Sequence, residues 1–141
     1  MIVGVPRESF PGERRVSLVP GVIPHLKKAG LDVVVEKNAG IEAGYPDADY
    51  AAKGGKILGD RAEVFRTADV IVQVLCYGSN DQTGKADVPL YRREQILIGF
   101  LRPLGALETI QDIARAGVTS FSVELMPVSY THLRAHETGR N

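Results

Sequence analysis

Short apolar runs alternate along the chain with segments whose apolar residues recur at helical spacing. Ile2-Val3-Gly4-Val5, closed by Pro6, has the form of a buried strand that ends where its loop begins. Val22, Ile23, Leu26 and Ala29 then share one helical face. Pro24 fits only in the first turn of that helix, where its missing N–H has no partner to lose. Lys27 and Lys28 favour the negative end of the helix dipole, and Gly30 supplies the stop. The cycle repeats: a strand over Val33 to Val35, a helix over Asp47 to Lys53 ended by Gly54-Gly55, and a short strand over Lys56 to Leu58. A helix over Arg61 to Thr67 follows, with Asp60 as its N-cap. Val70 to Val74 is almost wholly β-branched, which suits a strand buried on both faces. Ile96 to Leu101 has the same character and is followed by a helix from Leu107 to Ala116 and a strand from Val118 to Val123. Strands alternating with helices imply right-handed crossovers and a mostly parallel sheet with helices on both faces.

Two stretches depart from this rhythm. Between Cys76 and Pro89 the chain is polar and glycine-bearing without periodicity, which predicts a functional or mobile surface loop. From Val128 to Asn141 the apolar residues are too sparse to dock on a sheet, so the domain's pattern stops at Pro127 and a poorly ordered tail is expected.

Composition narrows the function classes. A chain of 141 residues, 44% hydrophobic, suffices for one packed domain and not for the two domains of most dinucleotide dehydrogenases. The 17 Lys and Arg are matched by 17 Asp and Glu, so no strong positive field exists for nucleic acid. The single cysteine, Cys76, has no disulfide partner, and no signal peptide is recognisable, which points to a reducing cytoplasmic setting. No apolar run approaches the roughly 20 residues that cross a bilayer, so any membrane contact would be made through a partner.

Candidate chemistry lies at the carboxyl ends of the predicted strands, where open α/β sheets bind ligands. Pro11-Gly12-Glu13-Arg14-Arg15-Val16 follows the first strand, and Arg15 there could present its planar fork to a carboxylate or phosphate. Equally, Arg14 and Arg15 could be solvated charges paired with Glu8 or Glu13. Gln73 is polar at the end of an apolar strand, positioned either to reach a ligand or to satisfy a loop carbonyl. Arg102, in Phe100-Leu101-Arg102-Pro103-Leu104-Gly105, could converge with Arg15 in one cleft or be a surface charge. His132 and His136 have the four-residue spacing of zinc ligands on a helix but no carboxylate or cysteine companions, so no metal site is expected. There is no GxGxxG, Walker loop, GxSxG elbow or paired-cysteine site, and the turn after the first strand, Pro6-Arg7-Glu8-Ser9, is not glycine-rich.

The string Ile2-Val3-Gly4-Val5-Pro6-Arg7-Glu8 followed by Pro11-Gly12-Glu13-Arg14-Arg15-Val16-Ser17-Leu18-Val19-Pro20 resembles the opening of the alanine dehydrogenase and NAD(P) transhydrogenase alpha-subunit superfamily. Val35-Glu36-Lys37-Asn38-Ala39-Gly40, Ala43-Gly44-Tyr45, Ala68-Asp69-Val70-Ile71 and Gly117-Val118-Thr119 extend the likeness in order over 1–127. In alanine dehydrogenases a lysine and a histidine sit at what look like the Gln73 and Arg102 positions and, with an arginine matching Arg15, hold pyruvate. Two of the three are replaced here, and Val123-Glu124-Leu125-Met126-Pro127 looks like the transhydrogenase sequence just before its NAD-contacting loop. The resemblance therefore favours the transhydrogenase branch. It implies a flavodoxin-like first domain of an NAD(H)-binding alpha subunit that exchanges hydride with NADP(H) on a beta subunit, coupled to proton movement through a membrane domain. It further implies a homodimer in the full-length protein, located in the cytoplasm at the inner membrane.

In that family NAD lies between this domain and a following Rossmann domain. Where the family continues with an Arg-Ile-Ser-Arg-Ala-Gln type run, this chain has Val128-Ser129-Tyr130-Thr131-His132-Leu133, so 128–141 is expected to be a non-family tail, disordered or artefactual, resembling translated adapter sequence. No nucleotide-contacting residue is then retained, and Arg15, Gln73 and Arg102 remain as cleft candidates. The competing expectations are an N-terminal fragment of an NAD-dependent alanine dehydrogenase and a free-standing flavodoxin-like anion-binding module.

Overall fold

The computed structural model describes residues 1–128. The strands are β1 (Ile2–Val5), β2 (Asp32–Glu36), β3 (Lys56–Leu58), β4 (Val70–Leu75), β5 (Ile96–Phe100) and β6 (Thr119–Ser122). The helices are α1 (Ile23–Lys28), α2 (Asp47–Ala52), α3 (Arg61–Thr67) and α4 (Leu107–Arg115), with 3-10 turns at Pro20–Val22, Ile41–Ala43, Gly84–Leu90 and Val123–Leu125. Local signals act as the sequence predicts. Pro24 lies in the first turn of α1, and the Asp60 side chain accepts the Glu63 amide at 2.7 Å to cap α3.

All six strands run parallel, in the order β3-β2-β1-β4-β5-β6. Without the three-residue edge strand β3 this is the flavodoxin-like order, and with it the order of the doubly wound dinucleotide fold. In both descriptions the direction of winding reverses between β1 and β4, which opens a crevice above their carboxyl ends.

Helices cover both faces. Val3, Val5, Val33 and Val35 pack with Ile23 of α1 and Tyr50 of α2, while Val34, Ile71 and Leu97 pack with Val64 and Phe65 of α3 and Ile113 of α4. Gly4 lets α3 approach closely, since a Cβ there would stand 2.6 Å from the Ala68 methyl. The connections from β4 to β5 and from β5 to β6 pack on the α3 face, so the other face of β4–β6 carries no helix among the described residues. Phe100 and Phe121 are accordingly 37% and 56% exposed.

The segment after β4 differs from the expected surface loop. Cys76, Tyr77, Asn80 and Asp87 are buried, and the chain from Gly84 forms a 3-10 turn against the core. Its exposed residues Asp81, Gln82, Thr83 and Lys85 keep to the surface, while the buried Asn80 is satisfied internally: it donates to Ser9 Oγ and to Thr83 Oγ1, and Ser9 and Thr83 share a further hydrogen bond. Polarity here marks a hydrogen-bonded plug, because a buried amide with all its partners is as stable inside as in water. The histidines His132 and His136 and the tail from Ser129 onward lie outside the described residues.

Candidate functional site

The crevice between β1 and β4 is floored by ionic side chains. After β1 the chain turns so that the Glu8 carboxylate folds back onto the sheet and accepts the Val74 and Leu75 amides at 2.6 and 3.1 Å. These amides lie where the β4–β5 register shifts between Val72 and Leu75, so Glu8 satisfies donors that the irregular ladder leaves without partners. Burial raises the proton affinity of Glu8 above that of an ordinary carboxyl, against the lowering effect of those two amides and of Arg61. Glu36, at the end of β2, accepts the Arg7 amide at 2.7 Å and is likewise raised, first by burial.

Arg61, the first residue of α3, ties this floor together. Its Nε and Nη2 donate to Asp87 at 2.6 and 2.7 Å, its Nη1 donates to the Arg7 carbonyl and lies 3.5 Å from Glu36, and its plane lies over the Phe65 ring. Burial alone would lower its pKa, but the Asp87 pair and the flanking carboxylates raise it, so the guanidinium stays charged. Gln73 donates to Asp87 at 3.3 Å, and its Oε1 is buried with no hydrogen-bond partner.

Two depressions open on this edge. One, of about 650 Å³, is lined by Arg7, Glu8, Glu13, Arg14, Arg15 and Arg61 among others, with the two charge signs interleaved. The other, of about 420 Å³, is mainly apolar and is lined by Arg15, Val72, Gln73, Ile98, Phe100 and Val123 among others. Arg15 stands on the rim of both. Its Nε and Nη2 donate to the two oxygens of Glu13 at 2.8 and 2.7 Å, while Arg14 lies 3.9 Å from Glu42. The structure thus brings Arg15 and Gln73 to one depression, with the Gln73 amide beside Asp87. Arg102 is exposed, lines neither depression, has φ at 50°, and directs its amide to Glu124.

The edge uses up its own amides. Glu36 takes that of Arg7, Glu8 those of Val74 and Leu75, and Glu124 those of Leu101 and Arg102. Burial tends to raise the Glu124 pKa, but these and its other hydrogen bonds outweigh burial and lower it. A pyrophosphate needs such amides unoccupied, so these five cannot receive one. Cys76 is buried and its thiol pKa is raised by burial, which disfavours the thiolate and nucleophilic chemistry there. Among the described residues no group of three metal-ligating side chains comes together.

Sequence reasoning missed Arg61, Asp87, Glu36 and the bridging role of Glu8. Each is an ordinary charged residue in its own stretch, and only the fold makes them neighbours.

A family model described as the N-terminal domain of alanine dehydrogenase/PNT matches residues 4–135. The chain is 35% identical over 127 residues to the NAD(P) transhydrogenase subunit alpha of Cereibacter sphaeroides, covering 90% of this chain and 23% of that one. It is 35% identical over 101 residues to the alanine dehydrogenase of Methanococcus maripaludis, covering 72% of this chain and 26% of the relative. The crystal structure of a transhydrogenase from Sinorhizobium meliloti superposes with a TM-score of 0.81 and 34% identity, over 93% of this chain and 37% of that one. The chain therefore spans well under half the length of the proteins it matches.

Proposed function

Because the chain belongs to the alanine dehydrogenase/PNT N-terminal domain family, we propose that it forms one wall of the NAD(H) cleft of a transhydrogenase alpha subunit. The facing wall would be a nucleotide-binding domain that follows it. Hydride transfer to NADP(H) on a beta subunit, coupling to proton movement through a membrane domain, and a homodimeric full-length protein belong to that reading. So does a cytoplasmic position at the membrane. Among the described residues no helix is long and apolar enough to cross a bilayer.

The observation that carries this reading is that Arg15 and Gln73 both line the β4–β5 depression, with Arg102 outside it. Arg15 retains the anion-binding function, but the lysine and histidine of the pyruvate-binding set are replaced by Gln73 and Arg102. A neutral amide turned to Asp87 and a guanidinium outside the depression suit a cleft that positions a nucleotide better than one that polarises a keto acid. The amides of the edge are occupied by Glu8, Glu36 and Glu124, so the pyrophosphate would be bound by the facing domain.

Calorimetric titration with NADH tests the assignment. One wall leaves a ligand largely hydrated, so this chain alone is expected to bind no more tightly than millimolar, about 4 kcal/mol. A protein extended with the transhydrogenase continuation is expected to bind in the micromolar range. Micromolar affinity in the short chain would place the nucleotide site within this domain and overturn the proposal. The likeness to alanine dehydrogenase supports a second reading, NAD-dependent oxidation of L-alanine. Turnover of L-alanine by the extended protein would favour it.

A further inference from the structure

We propose that Glu13 is an internal competitor for the anion that Arg15 receives. The inference rests on the reading of Arg15 as a ligand-facing clamp and concerns what occupies that clamp when no ligand is bound. Glu13 Oε1 accepts the Arg15 amide at 2.9 Å and its Nε–H at 2.8 Å, and Oε2 accepts from Nη2 at 2.7 Å. The contact forms within a tight turn, in which the Glu13 amide donates to the Phe10 carbonyl at 3.0 Å. It therefore requires no distant element to hold it.

The pair is asymmetric in a way that matters. The Glu13 side chain is 8% exposed and that of Arg15 63%, so the carboxylate lies beneath and the guanidinium on top. The hydrogen bond from Arg15 lowers the Glu13 pKa, which keeps the carboxylate ionised and in place. A guanidinium presents two parallel donor edges to carboxylate or phosphate, and Glu13 holds the Nε/Nη2 edge. An incoming anion meets an arginine whose charge is offset and one of whose edges is filled. It must displace Glu13, or accept the Nη1 side against the repulsion of a carboxylate a few ångströms away. Glu13 thereby sets the anion affinity of the rim below what Arg15 alone would give, and favours ligands that bring further contacts of their own.

The test uses the 141-residue chain and simple anions, so its result does not depend on nucleotide binding or on the enzymatic assignment. Inorganic phosphate and acetate are titrated separately at constant ionic strength, with the Arg15 Nε–H resonance and the neighbouring amides as the readout. Glu13→Gln is expected to tighten binding by about three- to tenfold, since it frees the Nε/Nη2 edge of Arg15 and removes a repulsive charge beside it. A gain in the phosphate arm alone would assign the clamp to phosphate, and a gain in both arms would assign it to oxyanions generally. The gain should vanish in Arg15→Gln and in the double variant. Glu13→Ala provides a second removal of the carboxylate should the glutamine variant fold poorly. Unchanged or undetectable binding in both Glu13 variants overturns the proposal. Weaker binding than wild type would make Glu13 a positioning residue for Arg15, and a gain persisting without Arg15 would place the receptor elsewhere.

Discussion

The burial of Arg61 and Asp87 decides what each of these charges does. Asp87 is 2% exposed and its partners are Arg61 and Gln73, so removing the guanidinium leaves a buried carboxylate with one neutral donor at 3.3 Å. Arg61→Met is expected to cost about 3 kcal/mol in denaturant unfolding, and Arg61→Met with Asp87→Leu to recover much of that loss, because two buried charges removed together leave neither uncompensated. A double variant no more stable than the single one would mean that Asp87 is not the source of the cost. Glu8 gives a pH signature instead. Its folded pKa is raised by burial, so the native state holds its proton more tightly than the unfolded chain does. The stability it contributes is fully present below the ordinary carboxyl pKa and is lost as pH rises through the raised folded value. The stability of wild type relative to Glu8→Gln should therefore fall as pH rises from about 4.5, and a rise over that window would mean that the two β4 amides outweigh burial. At this scale the pairing of Arg15 to Glu13 was legible as one of several alternatives, because both lie in one hexapeptide, and the structure selects Glu13 over Glu8 as the partner. Arg61 and Asp87 were not, since nothing within 26 residues of separation marks two charges as partners.

Elements were the most legible level, because apolar periodicity and capping act within a few residues. β1 and β4 stand out as apolar runs, and α3 begins where Asp60 caps it. The segment after β4 was legible only in part: 81–83, 85, 86 and 89 lie on the surface, but Asn80 and Asp87 are polar in composition and buried in fact, and only their partners on Ser9, Thr83 and Arg61 reconcile the two. Asn80 is 1% exposed, so Asn80→Ala is expected to cost about 1–3 kcal/mol in thermal or chemical unfolding by stranding those groups. A loss below about 0.5 kcal/mol, the range of ordinary surface substitutions, would mean that the segment is only loosely applied. Gly99 tests the same junction from β5. A Cβ there would meet the Gln73 carbonyl oxygen and the Cys76 sulfur, so Gly99→Ala must part β4 from β5 or expel the plug. A variant with wild-type stability would contradict that close approach.

Over the whole molecule, the parallel sheet followed from the alternation of strands and helices, but its uneven cover did not. Right-handed crossovers place every connection beyond β4 on the α3 face. The opposite face of β4–β6 can then be covered only by chain lying outside this succession, and among the described residues it is not covered. Phe100 and Phe121 stand 37% and 56% exposed there, large apolar side chains that an isolated globular surface seldom groups together. These residues gain less from folding than Ile71, which is fully buried on the covered face. The two halves should respond unequally to substitution. Ile71→Ala is expected to cost about 2–5 kcal/mol, through lost burial and the cavity left behind. Phe100→Ser and Phe121→Ser should each cost less, about 1–2 kcal/mol at Phe100 and no more than about 1 kcal/mol at Phe121, in proportion to the apolar area each buries, while reducing the binding of an apolar reporter dye and any concentration-dependent association seen by sedimentation. A large stability loss in the phenylalanine variants would show that this face is covered within the chain itself, and dye binding that is unchanged would place the accessible apolar surface elsewhere.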